Sequence, residues 1–184
     1  EAACTRFREA RDDLFHHRLT ESDLPKATAH LSPLDETSLH YLVKQADAVG
    51  RIHPRHGWAI MRVMDAAATH SAPPLLQAQA AWHLAYYANE YGRFPQAQEP
   101  LARARRLFAQ HHESGWSALC TWQAHPVSWV SSNLSQSLDQ LRNALKDLKD
   151  AGTSFADYVP QCQLTLATFQ LMAGDLASAE TLIA

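Results

Sequence analysis

The chain has 184 residues, 46% of them apolar and 19% charged, a length and composition of a globular domain rather than a disordered segment. A formal charge of −3 argues against a dedicated nucleic-acid surface and against electrostatic docking on an anionic membrane. No run approaches the ~20 continuous apolar residues of a membrane span. The three cysteines, Cys4, Cys120 and Cys162, are too few and too widely spaced for a disulfide framework, which favours a reducing, cytoplasmic setting.

Scarce glycine (six residues) and abundant Ala, Leu, Gln and Arg predict helices throughout. In chain order the expected helices are 2–18, 35–50, 56–69, 74–91, 95–112, 115–131, 134–150, 155–173 and 175–184. Residues 1–34 form an N-terminal helical or capping segment. The N-terminus, Glu1-Ala2-Ala3-Cys4, has neither a starting Met nor a signal pattern, so the chain is expected to be a piece of something longer or a processed product. Pro54, Pro73, Pro74 and Pro95 stand at or near helix starts, and Pro160 falls in the first turns of its helix, where proline is tolerated. Pro126 is expected to kink or split the helix 115–131. The segment Leu75–Tyr91 is apolar almost all round and predicts a helix buried on more than one side. Segment 134–150 carries Leu134, Leu138, Leu141, Leu145 and Leu148 with polar residues between, the pattern of a helix facing water on one side.

A short turn recurs as Gly50-Arg51-Ile52, Gly92-Arg93-Phe94, Ser132-Asn133-Leu134 and Gly174-Asp175-Leu176, at steps of 42, 40 and 42 residues. Eight residues before each turn stand Leu42, Leu84, Ala124 and Leu166, followed by Val43, Ala85, His125 and Ala167. Five residues after the turn start come Ala97, Ser137 and Ala179; nine after come Leu101, Leu141 and Ile183; twelve after come Ala104 and Ala144. The first copy resumes four residues late as Ala59, Val63 and Ala66, past a longer loop at 52–56. Each copy thus reads as two helices joined by a turn whose glycine takes the left-handed position ending the first helix. Small alanines let the second helix approach its partner. The expected fold is all-α, a right-handed superhelical solenoid of antiparallel helix pairs, about four of them over residues 35–184. Ending on Thr181-Leu182-Ile183-Ala184, an apolar run, is expected of a fragment of a longer array.

Leu84-Ala85, then Gly92-Arg93-Phe94, then Ala97, Leu101 and Ala104 resemble the tetratricopeptide pattern of large-small, turn, Ala–large–Ala. The fourth copy matches in part, the third is degenerate and the first carries the insertion. The 40–42-residue copies exceed the usual ~34 and look more like the long-repeat relatives in kinesin light chains and bacterial regulators of the maltose-activator type. The resemblance implies a scaffold that binds proteins, peptides or small signals on a concave surface, as the sensing or interaction part of a larger regulatory protein. It also leaves room for a homo-oligomer formed through repeat faces.

If 74–91 is an inner helix in that register, Trp82, Tyr86 and Asn89 share one face, with His40, Lys44 and Asp47 on the preceding inner helix and Trp122 and Trp129 on the following one. Aromatics interspersed with amide and ammonium groups suit a binding groove. The competing reading makes Trp82 and Trp122 core residues, the commoner fate of aromatics at helical spacing. For chemistry, His53-x-x-His56, His111-His112-Glu113, Cys120 and His125 are metal-ligand candidates, and a two-ligand pair falls short of the three or four that zinc needs. Cys120 and Cys162 sit in apolar helical context, where cysteine acts as a small hydrophobe. Asp12-Asp13 reads as solvated, and Arg103, Arg105 and Arg106 as a solvated outer face or a phosphate or acidic-peptide site. No Gly-x-Ser-x-Gly, Walker or Rossmann pattern occurs. A binding module without cofactor or metal is the expectation, and an enzyme on a helical scaffold, using a His-based metal site or a thiol, is the alternative.

Overall fold

The computed structural model describes residues 2–29, 31, 33–125 and 134–183. Among these the chain is all-helical, with no strand. The α-helices are α1 (Ala2–Phe15), α2 (Leu24–Thr28), α3 (Glu36–Gly50), α4 (Pro54–Ser71), α5 (Pro74–Glu90), α6 (Phe94–Gln110), α7 (Ser114–Gln123), α8 (Leu134–Asp150), α9 (Val159–Met172) and α10 (Leu176–Ile183), with a 3-10 helix at Thr153–Tyr158 before α9. Contacts join helices near in sequence, and the chain divides into two compact units, Glu1–Leu107 and Phe108–Ala184.

In the first unit α3 packs on α4 and α4 on α5, while α1 and α2 cover α4 from another side. The main core of this unit gathers Leu39, Ala46, Ile60, Met61, Met64, Ala80, Leu84 and Tyr87. A smaller cluster, Ala10, Leu24 and Val63 with Phe7, Leu14 and Leu19 against it, ties the N-terminal segment to α4. Helix α5 is buried at Ala78, Ala80, Ala81, Trp82, Leu84, Ala85, Tyr87 and Ala88, as an apolar circumference requires.

In the second unit α7 packs on α8, α8 on α9 and α9 on α10. Helix α8 buries Ser137, Leu138, Leu141, Ala144, Leu145 and Leu148 and leaves its other face to water. Trp116 lies flat against Phe108, with ring centroids 5.1 Å apart, and meets the edge of Phe155 at 5.7 Å. Gly115 makes room for that Phe155 ring, because a Cβ there would come within 2.8 Å of it.

The repeated positions share one environment. Ala97, Ser137 and Ala179 are all buried, as are Leu101 with Leu141 and Ala104 with Ala144. The two glycine turns also share one hydrogen-bond pattern. At Gly92 (φ 69°) the Arg93 N–H donates to the Ala88 carbonyl at 2.7 Å, and at Gly174 (φ 80°) the Asp175 N–H donates to the Gln170 carbonyl at 2.9 Å. Each is a six-residue helix stop whose left-handed residue glycine adopts without strain. The sequence pattern missed two further stops of this kind. His17 and His112, both at φ 58°, close α1 and α6 through Arg18 N–H to Asp13 O at 2.8 Å and Glu113 N–H to Phe108 O at 3.0 Å.

Gly50 departs from the expected role. It is the last residue of α3 and not a left-handed one; the chain leaves through Arg51 in right-handed geometry. Its bareness serves packing instead. A Cβ at Gly50 or at Gly57 would fall on the Tyr87 hydroxyl, and at Gly57 would also stand 2.7 Å from the Ala46 carbonyl oxygen. The two glycines open the space between α3 and α4 that Tyr87 fills, and its hydroxyl donates to the Pro54 carbonyl at 3.1 Å. Helix α2 and the 3-10 turn were also absent from the sequence reading, and the expected helix 155–173 begins in that 3-10 turn. Pro126 and the turn at Ser132 lie outside the described residues.

Candidate functional site: an arginine-lined cleft built on Trp58

A cleft of about 620 Å³ opens in the first unit between the end of α1, the loop after it, the first turns of α4 and the α5–α6 turn. Its apolar lining includes Leu14, Leu19 and Ala59, and its charged lining is Arg55, Arg62 and Arg93 with Glu21, which pairs with Arg62. Pro54 starts α4, so Arg55, Trp58, Ala59 and Arg62 follow at helical spacing and share one stripe. Arg93 comes from elsewhere in the chain, placed by the Gly92 helix stop described above.

Trp58 organises the cleft. Its ring lies near-parallel to that of Tyr87, 6.5 Å away, and Tyr87 is itself locked between Gly50 and Gly57. The Arg62 and Arg93 guanidinium carbons stand 5.7 Å and 5.1 Å from the Trp58 ring centre. An aromatic ring at this range holds a guanidinium by its quadrupole and leaves the N–H edge available for an acceptor. Arg62 already meets one such acceptor, the Glu21 carboxylate, at 2.7 Å. Glu21 is 79% exposed on its loop, whereas Arg62 is 18% exposed. The loop is shaped by Asp23, whose carboxylate accepts from the Thr20 hydroxyl at 2.5 Å and from the Thr20 N–H at 3.3 Å. Those same bonds hold the Asp23 carboxyl below its ordinary pKa. Neither Arg55 nor Arg93 has a carboxylate at ion-pair distance among the described residues.

The residues expected to line a groove are placed differently from one another. His40 and Lys44 are exposed along a shallow hollow of about 480 Å³ on α3, with Glu36, Thr37 and Tyr41. Trp82 is interior, 1% exposed, stacked on Tyr86 at 5.3 Å. Tyr86 and Asn89 are half-buried and Asp47 is exposed. Trp122 belongs to the second unit, where it is buried and its indole N–H donates to the Thr165 hydroxyl at 2.9 Å. Trp129 lies outside the described residues.

Arg103 differs from the solvated-face expectation: it pairs with Asp65 of α4 at 2.6 Å and donates to the Thr69 hydroxyl at 2.5 Å, while Arg105 and Arg106 are exposed. His56 meets Phe15 edge to face, with ring centroids 3.7 Å apart, and His53 is the residue before α4, 5.3 Å from the His56 ring. Among the described residues no three His, Cys, Asp or Glu side chains converge as a metal site. Cys120 and Cys162 are buried, and burial pushes the Cys162 thiol up to about 12.

The cleft was legible in part. Arg55-x-x-Trp58-x-x-x-Arg62 is a basic–aromatic stripe at helical spacing, but residues 52–56 read as an inserted loop, which hid it. The approach of Arg93 and Glu21 has no sequence signal, since each is more than thirty residues from Trp58 along the chain. No family model, curated protein or solved structure matches this chain.

Proposed function

We propose that this chain is a tetratricopeptide-like helical-repeat domain that binds a ligand or partner, and that it works as the sensing part of a larger cytoplasmic regulatory protein rather than as an enzyme. The observation that carries the binding reading is the cleft on Trp58. It has the size of a small-molecule site, one apolar wall and a few convergent polar groups held by a packed scaffold. The repeat reading is supported by the matching helix stops at Gly92 and Gly174 and by the shared burial of Ala97, Ser137 and Ala179. In a solenoid, each helix pair buries its apolar face on its neighbours and leaves one side for recognition.

Amide NMR of the labelled chain, titrated with a panel of anionic, neutral and cationic small molecules and short peptides, tests this reading. Shifts centred on Arg55–Arg62 and Arg93, with each compound recovered unchanged, are expected. Chemical conversion of a compound, or a panel that perturbs nothing around the cleft, would overturn it.

A further inference from the structure

We infer that the Trp58 cleft binds a small organic phosphate monoester, whose phosphate takes the guanidinium edge of Arg62 now held by Glu21 while its organic body lies on Leu14 and Leu19. This deepens the binding reading above and rests on it. The charge count favours a dianion. Three arginines against one glutamate leave two positive charges in a chain whose overall charge is −3. The nearby carboxylates of α1 do not cancel them, because Asp12 pairs with Arg11 at 2.6 Å and Asp13 with Arg18 at 2.8 Å.

Geometry favours phosphate over carboxylate. A single carboxylate is matched by a single guanidinium, as Glu21 on Arg62 shows. A phosphate monoester presents three acceptor oxygens and close to two negative charges at neutral pH, enough for Arg55, Arg62 and Arg93 together. The cleft volume, about 620 Å³, exceeds what a bare phosphate fills, and the lining includes the apolar Leu14 and Leu19 that an organic body would cover. Glu21 is the resident competitor: exposed and on a loop, it leaves Arg62 without unpacking a core.

Calorimetric titration of the full chain with phenyl phosphate, inorganic phosphate and benzoate tests the inference. Phenyl phosphate is expected to bind about ten-fold or more tightly than either control. Arg62→Gln and Arg93→Gln are each expected to weaken it by about ten-fold. Glu21→Gln should tighten it several-fold, while Glu180→Gln, an exposed charge elsewhere, should not. Melting curves establish that the variants fold; should Arg62→Gln or Arg93→Gln melt early, the exposed Arg55→Gln decides, and it must also weaken phenyl phosphate. Affinity that ignores the arginines, or ignores Glu21→Gln, overturns the proposal. Benzoate binding in the cleft more tightly than phenyl phosphate overturns the phosphate assignment and leaves the binding module standing.

Discussion

Arg103 and Asp65 are 16% and 12% exposed, and their pair joins α6 to α4. Burial raises the Asp65 pKa and the adjacent guanidinium pulls it back, with burial the larger influence. Removing the cation alone leaves a buried carboxylate without its countercharge, so Arg103→Met is expected to cost about 3–5 kcal/mol in urea unfolding at pH 7. The loss should shrink toward pH 4. A carboxyl whose folded pKa is raised contributes stability below its unfolded pKa and loses it as pH rises through the folded one. The double variant Arg103→Met/Asp65→Leu should regain most of the loss, and a double variant no better than the single would mean that Arg103 acts through packing alone.

Gly57 makes a second test of side-chain fit. Alanine normally raises helix stability over glycine by up to about 1 kcal/mol. Here the added methyl meets the Tyr87 hydroxyl and a backbone oxygen of α3, and backbone cannot yield cheaply. Gly57→Ala is therefore expected to lower stability by about 1–3 kcal/mol and to disturb the Trp58 cleft through Tyr87. An unchanged or raised melting temperature would contradict the wedge.

Two helix ends share one glycine stop. Gly92 and Gly174 have nothing within 4 Å of an added Cβ, so a substitution there feels backbone strain and no clash. Gly92→Ala and Gly174→Ala should each cost about 1–2 kcal/mol. His112 occupies the same left-handed geometry at a cost that glycine would not incur, so His112→Gly should raise the melting temperature. Opposite signs for these substitutions in thermal melts are the signature of a left-handed stop; a loss at His112→Gly would mean that its side chain, not its backbone, matters.

The glycine at position 50 shows where element-level reading fails. It has the same sequence context as Gly92, yet helical geometry continues through it. Helix ends are marginal structures, and a demand from Tyr87 for space outweighs a local preference for the left-handed turn. The aspartate caps were readable in principle: Asp35 accepts from the Ser38 N–H at 2.7 Å and Asp175 from the Ser178 N–H at 3.2 Å, and both carboxyls are held below their ordinary pKa first by the serine hydroxyls and then by those N–H groups.

For the molecule as a whole, three histidines are expected to lower stability on acidification. His83 is half-buried, and desolvation first, then the positive field of His40, pushes it down to about 3. His125 is lowered by burial alone, and His56 by burial and then by His53. A folded pKa below the unfolded one means that the native state prefers neutral imidazole. The stability it contributes is complete above about pH 6.5 and is lost as pH falls toward the folded value. His83 alone should remove about 2 kcal/mol between pH 7.5 and pH 5. Melting temperature should fall over that interval, less so in His83→Gln, and a flat profile would place His83 in water.

Helicity, most of the helix boundaries and the 40–42-residue recurrence are local or periodic properties, so they are written in the residues, whereas the end of the helix expected over 115–131, which stops at Gln123, and the short helix Leu24–Thr28 are not. Burial at Ala97, Ser137 and Ala179 follows from the same periodicity. Of the cleft, only the Arg55–Trp58–Arg62 stripe has such a trace. Arg62 and Glu21 are 41 residues apart, and Arg93 reaches Trp58 only because α4 and α5 pack with Tyr87 between two glycines. The fate of Trp82 was equally undecided by pattern, since an aromatic at helical spacing serves core and groove alike until the neighbouring helix closes over it. Periodicity specifies which face of a helix is apolar; only packing decides what covers that face and which distant charges meet beside it.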